Sequence, residues 1–241
     1  SQSRGLGDVY KRQDKYITPY TNKESQLFLV DLGRGKDRMG GSGLDQTLSY
    51  TNHESPNINK LDDLLSYYEF SQELVRKNVL NAYHDRSDGG LITTLIEMAF
   101  VSNMSVDLKN ISKRSKTELI RFLFNEELGG IFAIDKKYEK EFIKLIRKYN
   151  LEAITHNIGN IIKEGTPMLK ITACNYSEPI SKLRKYWSEL SYLIQSERDN
   201  KKTALSEYKA KINSHQKNLE YLIPKLHYKV SDISKKYLNK K

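Results

Sequence analysis

Tyr83-His84-Asp85-Arg86-Ser87-Asp88-Gly89-Gly90 joins two elements of different kind, and its reading decides the fold. Upstream, Val79 to His84 reads as a short strand that delivers Asp85 to a sheet edge. Downstream, Leu91 to Val101 is apolar on several faces and reads as a helix buried on most sides. Two carboxylates, a hydroxyl, a cation and two glycines therefore sit just ahead of a helix N-terminus. The free N–H groups there favour an anion, and glycines let a phosphate approach the backbone. A carboxylate beside them suits Mg²⁺, a hard ion that shares oxygen ligands with phosphate. The plainer alternative is a turn ending in an Asp or Ser helix cap.

Working outward, Gln26 to Asp31 is an apolar run ending in glycine, expected as a buried strand. The loop Gly33 to Ser42 follows. It lacks the glycine of a dinucleotide fingerprint at Arg38, and the lysine of a Walker A loop at Gly41. A helix is expected over Leu61 to Leu80, capped by Asn59, with Leu61, Leu64, Leu65, Tyr68, Val75 and Val79 inward and Gln72 interrupting them. Glu97 is the one charge in the Leu91 helix, and a polar contact at the helix surface is expected for it. Ser105 to Leu108 and Gly130 to Asp135 read as strands. Lys116 to Leu128 reads as a helix capped by Gly129, and Lys136 to Asn150 as an amphipathic helix with Tyr138, Phe142, Leu145, Ile146 and Tyr149 inward. Ala153 to Ile162 and Met168 to Ala173 are expected strands. Pro179 to Glu197 is an expected helix with Leu183, Trp187, Leu190 and Ile194 on one face. Strands and helices alternate only briefly, so the pattern favours an α+β fold, a layered mixed β-sheet with packed helices, over a doubly wound parallel sheet.

Composition narrows the function. The chain has 241 residues and a net charge of +10, but the excess is concentrated: Glu197 to Lys241 holds 12 Lys and Arg against 5 Asp and Glu. That segment reads as a basic linker or tail. No aromatic–basic RNA motif or zinc-finger spacing accompanies it, so specific nucleic-acid binding is not expected. No run of about eighteen apolar residues exists for a membrane span, and no secretory signal is expected, since the first residues lack an apolar stretch. The single cysteine, Cys174, has no partner for an internal disulfide, and the cytoplasm is the expected compartment. Ser1 to Gln13 has no periodicity and reads as a non-native leader, which leaves 14–196 as the domain and 197–241 as the tail.

The pieces resemble the large, single-chain phosphoribosylformylglycinamidine synthases of purine biosynthesis, also called formylglycinamide ribonucleotide amidotransferases. The resemblance is carried by Leu29-Val30-Asp31-Leu32-Gly33 with Gly40-Gly41-Ser42, by Ala82 to Leu91, by Glu97-Met98-Ala99-Phe100, by Leu123-Phe124-Asn125-Glu126-Glu127-Leu128-Gly129, and by Trp187 with Arg198-Asp199-Asn200. It runs from about Lys15 to Glu207. The matching piece is the second half of the second synthetase repeat, the domain shared with aminoimidazole ribonucleotide synthase, and it implies a layered α+β fold related to the ferredoxin-like arrangement.

The resemblance also implies a reaction. Glutamine supplies ammonia, ATP activates the formyl amide oxygen of formylglycinamide ribonucleotide, and ammonia displaces phosphate to give the amidine. It assigns Asp85 as a magnesium ligand and Ser87 as a nucleotide contact, with Mg²⁺ and ATP as cofactors. His84 is expected to be a structural hydrogen-bonding group. The other ligands and the catalytic histidine would lie in an N-terminal synthetase domain, and the glutaminase in a C-terminal one. The chain alone would then be inactive, with an apolar patch left exposed where a partner domain packs. Two alternatives stand beside this: a non-catalytic nucleotide-binding structural module of the same assembly, and a basic nucleic-acid binder driven by the tail.

Overall fold

The computed structural model describes residues 18–111 and 114–213. The expected leader, residues 1–13, and the tail from 214 lie outside the described residues. Seven strands form one sheet: β1 (Ser25–Asp31), β2 (Leu80–Asp85), β3 (Ser105–Leu108), β4 (Gly129–Ile134), β5 (Thr155–Ile162), β6 (Met168–Ile171) and β7 (Tyr176–Pro179), in the order β2-β4-β1-β5-β3-β6-β7. All neighbours are antiparallel except β3 and β6. The sheet is mixed, as the pattern of elements predicts, and the fold is α+β. The helices are α1 (Gly43–Leu48), α2 (Leu61–Arg76), α3 (Gly90–Ser102), α4 (Lys116–Phe124), α5 (Glu139–Lys148), α6 (Ile180–Arg198) and α7 (Lys201–Ile212).

Side chains alternate across a strand, so the central strand β1 feeds two cores. Leu27 and Leu29 join α3 and α4 through Leu91, Leu95, Met98, Leu119 and Phe122. Phe28 and Val30 join α2 and α5 through Phe70, Leu74, Phe142, Leu145 and Ile146. Phe132 of β4 sits in this second core, with ring centroids 5.4 Å from Phe70 and 6.3 Å from Phe142. Helices thus cover both faces of the sheet, and Leu91–Val101 is apolar on most sides because α3 is largely surrounded.

Several expectations change on packing. The inward residues of α2 are Phe70, Ser71 and Leu74, while Leu61, Leu65 and Tyr68 are exposed. Of the expected inward set, Leu64 and Val79 do pack on the second core, which selects the stripe of Leu64, Tyr67 and Phe70. Asn59 does not cap α2: Lys60 occupies the N-cap, and the Asn59 amide donates to the carbonyls of Leu32 and Gly33. Gly129 is not a helix cap but the first residue of β4; α4 ends earlier, at Phe124. Ser115 and Glu118 form a reciprocal capping box at its start. Part of the segment expected as a linker is helical. Asn200 caps α7 by accepting from the Lys202 and Thr203 amides, and α7 folds back along α6 with Tyr208 stacked on Tyr192 at 4.5 Å. On α6 the expected face exists but points outward: Trp187, Leu190 and Ile194 are exposed, and only Leu183 of the four packs on the core.

Gly159 marks where β5 bulges against β1. Its φ is +153°, and a Cβ there would lie 2.0 Å from the Asp107 carbonyl oxygen on β3. Both the backbone conformation and the contact exclude a side chain. Gly159→Ala is expected to lower unfolding stability by about 2 kcal/mol or more, read by urea denaturation. An unchanged midpoint would show that β3 and β5 separate freely at this point.

Candidate functional site

The C-terminal ends of β1, β2 and β3 and the N-terminal ends of β4 and β5 meet at one end of the sheet, because β1 runs antiparallel to both β4 and β5. The loops 32–42, 85–90 and 125–129 gather there. Edge strand β2 ends at Asp85, opposite Gly130, and the Arg86 amide donates to the Gly129 carbonyl at 2.9 Å. The chain then turns through Gly89 and Gly90, both left-handed at φ +85° and +77°, into α3. A Cβ on Gly90 would sit 2.6 Å from the backbone of Phe124 and Asn125, so the turn packs tightly against the 125 loop.

That loop fastens the site with three consecutive polar side chains. Asn125 accepts from Arg86 and donates to Asp37 at 3.0 Å. Glu126 accepts, on one oxygen, the amides of Gly43 at 2.8 Å and Gly89 at 2.7 Å. Glu127 is buried and holds Arg38 with two bonds of 2.6 and 2.7 Å. Its side chain lies where a Cβ on Gly33 would be, at 2.6 Å. The end of β1 is fastened similarly. Asp31 accepts from the Gly33 and Gly35 amides at 3.2 and 2.7 Å and from Arg86 at 2.8 Å. The Gly-rich loop is therefore hydrogen-bonded and buried at its two ends, with its tip, Arg34 to Lys36, exposed. Residue spacing near the turn gave no hint of Glu126 and Glu127 as its fasteners; the polar triplet ahead of a strand was the only signal.

Electrostatics follow the same contacts. Burial pushes the Asp37 carboxyl up, helped by the charge of Asp31, while Arg114, Arg86 and Arg121 oppose the shift. Burial also raises the Tyr67 phenol well above its usual range, and its hydroxyl lies 2.6 Å from that of Tyr83. The hydrogen bond from Arg34 of the loop, at 2.6 Å, holds Asp63 of α2 below the usual carboxylate range against a smaller opposing effect of burial. A depressed folded value means this contact stabilises above the unfolded value, about pH 4, and is lost as pH falls through the lower folded value. Asp63→Asn is therefore expected to flatten the acid limb of a stability–pH curve below about pH 4. An acid limb as steep as the wild type's would remove Asp63 from the account.

The two residues singled out by sequence part company. Asp85 lies at the mouth, with its side chain 76% exposed and His84 Nδ1 at 3.6 Å. Ser87 turns instead onto α3: its amide donates to Thr94 Oγ1 at 3.1 Å, and its hydroxyl lies 3.4 Å from both Thr94 Oγ1 and Glu97 Oε2. Glu97 also holds His84 Nε2 at 2.9 Å, the polar contact expected of it. Asp85 and Ser87 make no direct bond to each other among the described residues. The Gly89 amide, one of the donors expected to meet an anion, is held by Glu126.

The described residues contain no group of three His, Cys, Asp or Glu placed to hold a metal ion. One exposed carboxylate nevertheless suits Mg²⁺, which keeps several waters and takes one or two carboxylates together with phosphate oxygens rather than an all-protein cage. No helix among the described residues is long and apolar enough to cross a membrane.

Fold and site together define a layered α+β domain whose loops converge on one end of a mixed sheet. Residues 30–171 match the family model described as AIR synthase related protein, C-terminal domain. The chain belongs to that family. Among solved structures, it is similar to T. maritima PurL complexed with ATP, at 15% identity and a TM-score of 0.52, over 70% of this chain and 27% of that one. It is similar to phosphoribosylformylglycinamidine synthase II from Thermotoga maritima, at 15% identity and a TM-score of 0.50, over 70% and 28%. Thiamine-monophosphate kinase from Stenotrophomonas maltophilia K279a matches at 14% identity and a TM-score of 0.43, over 67% and 54%. At these identities the likeness is one of fold. The chain spans little more than a quarter of the two Thermotoga structures.

Proposed function

We propose that this chain is part of an ATP- and glutamine-dependent C–N ligase that converts formylglycinamide ribonucleotide to the amidine. In this reading it contributes Asp85 to the Mg²⁺ of an ATP site and Ser87 to the nucleotide, and works with N-terminal synthetase and C-terminal glutaminase domains. The domain is 14–196, and 197–241 leads toward the glutaminase. The observation that carries the reading is the turn itself: an exposed carboxylate at a strand end, followed by two left-handed glycines that open a buried helix. The likeness to PurL structures, one of them complexed with ATP, supports it. Bound Mg²⁺ would offset phosphate charge and draw electrons from the activated oxygen. The chain's own part is to present Asp85 to solvent while Arg86, buried against Asp31, keeps the turn in place.

The test is Asp85→Ala in a chain carrying the missing domains, with amidine formation and ATP binding measured across a magnesium series. A loss of turnover of about a hundredfold or more, partly recovered by raised magnesium, is expected for a phosphate-bridging ligand. Wild-type turnover with ordinary magnesium dependence would reject the assignment. A second reading is a non-catalytic nucleotide module of the same assembly; in either reading a phosphate at the turn would have to displace the Glu126 carboxylate from the Gly43 and Gly89 amides. ADP that stays bound without exchange through many turnovers would select this second reading.

A further inference from the structure

A cavity of about 330 Å³ opens at the same end of the sheet, between the start of β5, the end of β3 and α4. Asp85 lies on β2, three strands from β5, roughly 15 Å at about 4.8 Å per strand. Arg114, His156, Asn110 and Asn157 line it; Thr155 does too, but its hydroxyl donates to the Leu151 carbonyl at 2.8 Å, and Phe122 and Ile158 supply apolar wall. The Arg114 guanidinium lies over the Phe122 ring at 4.3 Å, and its Nε is buried without an acceptor. No carboxylate lies within ion-pair distance of Arg114 among the described residues. The two acids that feel its charge are committed elsewhere, Asp37 to the Asn125 amide and Glu118 to the Ser115 cap. Asn110 donates to Asn157 Oδ1, which also takes the Gly159 amide at 3.2 Å. That fixes the orientation of the Asn157 amide and leaves its NH₂ as a donor. The His156 ring makes no hydrogen bond among the described residues. The site thus gathers a guanidinium, an imidazole and an amide NH₂, with no carboxylate on its walls.

We propose that this cavity binds a phosphate group, either the monoester of a phosphorylated metabolite or free phosphate. A guanidinium fixed on an aromatic ring has lost little further freedom on binding, and its planar donors match a tetrahedral oxyanion. The inference goes beyond the Asp85 reading and does not depend on it.

The test titrates the full chain with inorganic phosphate and, separately, with ribose 5-phosphate, following the ring signals of its five histidines by NMR. Saturable shifts at His156 are expected with at least one of the two. Tighter binding of the ester identifies a phosphorylated metabolite, and equal or tighter binding of inorganic phosphate identifies the free ion. Arg114→Met should weaken binding about tenfold or more, as loss of a charge-assisted pair requires, with Arg114→Lys between the two. Asp85→Ala should leave it unchanged. Overturning results are no saturation at His156 with either ligand, wild-type affinity in a folded Arg114→Met protein, or saturable shifts at His84 in place of His156, which would place the anion at the Asp85 turn.

Discussion

Asp31→Ala should cost roughly 3–5 kcal/mol of unfolding stability, because it strands a buried cation. The Asp31 side chain is 6% exposed and Arg86 only 1%. The carboxylate also accepts the Gly33 and Gly35 amides, so one substitution frees the end of β1 and the Arg86 turn together. Asp31→Asn keeps an acceptor for the loop but removes the charge, and should lose less. Asp31→Ala combined with Arg86→Met should recover part of the loss, since an absent pair costs less than a broken one. Chemical denaturation of the four proteins measures this directly. A loss under about 1 kcal/mol for Asp31→Ala would mean that water reaches Arg86.

Glu127→Ala should have an effect of similar size, about 3–5 kcal/mol, for the same reason. Arg38 and Glu127 are both buried, and Arg38 meets the carboxylate through two side-chain bonds and through its own amide at 3.0 Å. The hydrogen bond to Glu127 is the largest influence raising the Arg38 pKa. Without the carboxylate, Arg38 keeps the Asn57 carbonyl and a largely exposed Glu54 as partners. The loop 33–42 should then become a cleavage site in limited proteolysis, a signature that a loss of core packing alone would not give. Arg38→Met should lose as much, and Glu127→Ala with Arg38→Met less than either. Full resistance of the loop to protease in folded Glu127→Ala would show that another contact holds it.

The fold was legible where periodicity was strong. β1 is a short apolar run, and α5 buries Phe142, Leu145 and Ile146 as its spacing predicts. The turn at 85–90 was legible because two adjacent glycines ahead of an apolar run mark a strand-to-helix junction. Reading failed where two answers had equal local merit. Leu64 packs inward as expected, but Leu61, Leu65 and Tyr68 are spaced as regularly around it on α2 as Tyr67 and Phe70, and only contact with Phe132 and Phe142 separates them. Helix α7 was missed because its sequence has little amphipathic pattern; stacking on α6 and an Asn200 cap support it instead.

By itself the sequence determined the mixed α+β order of elements, the strand that ends at Asp85 and the glycine turn behind it, since these depend on neighbours within a few residues. Tertiary structure alone decided what surrounds that turn. The Gly43 amide meets Glu126 across 83 residues and Arg38 meets Glu127 across 89, and no local pattern encodes a partner so distant. It also turned Ser87 onto α3 while leaving Asp85 in solvent. The two positions diverge because Ser87, past the end of β2, finds the Thr94 hydroxyl and the Glu97 carboxylate on the helix behind it, while Asp85, the last residue of the edge strand, has only His84 Nδ1 at 3.6 Å.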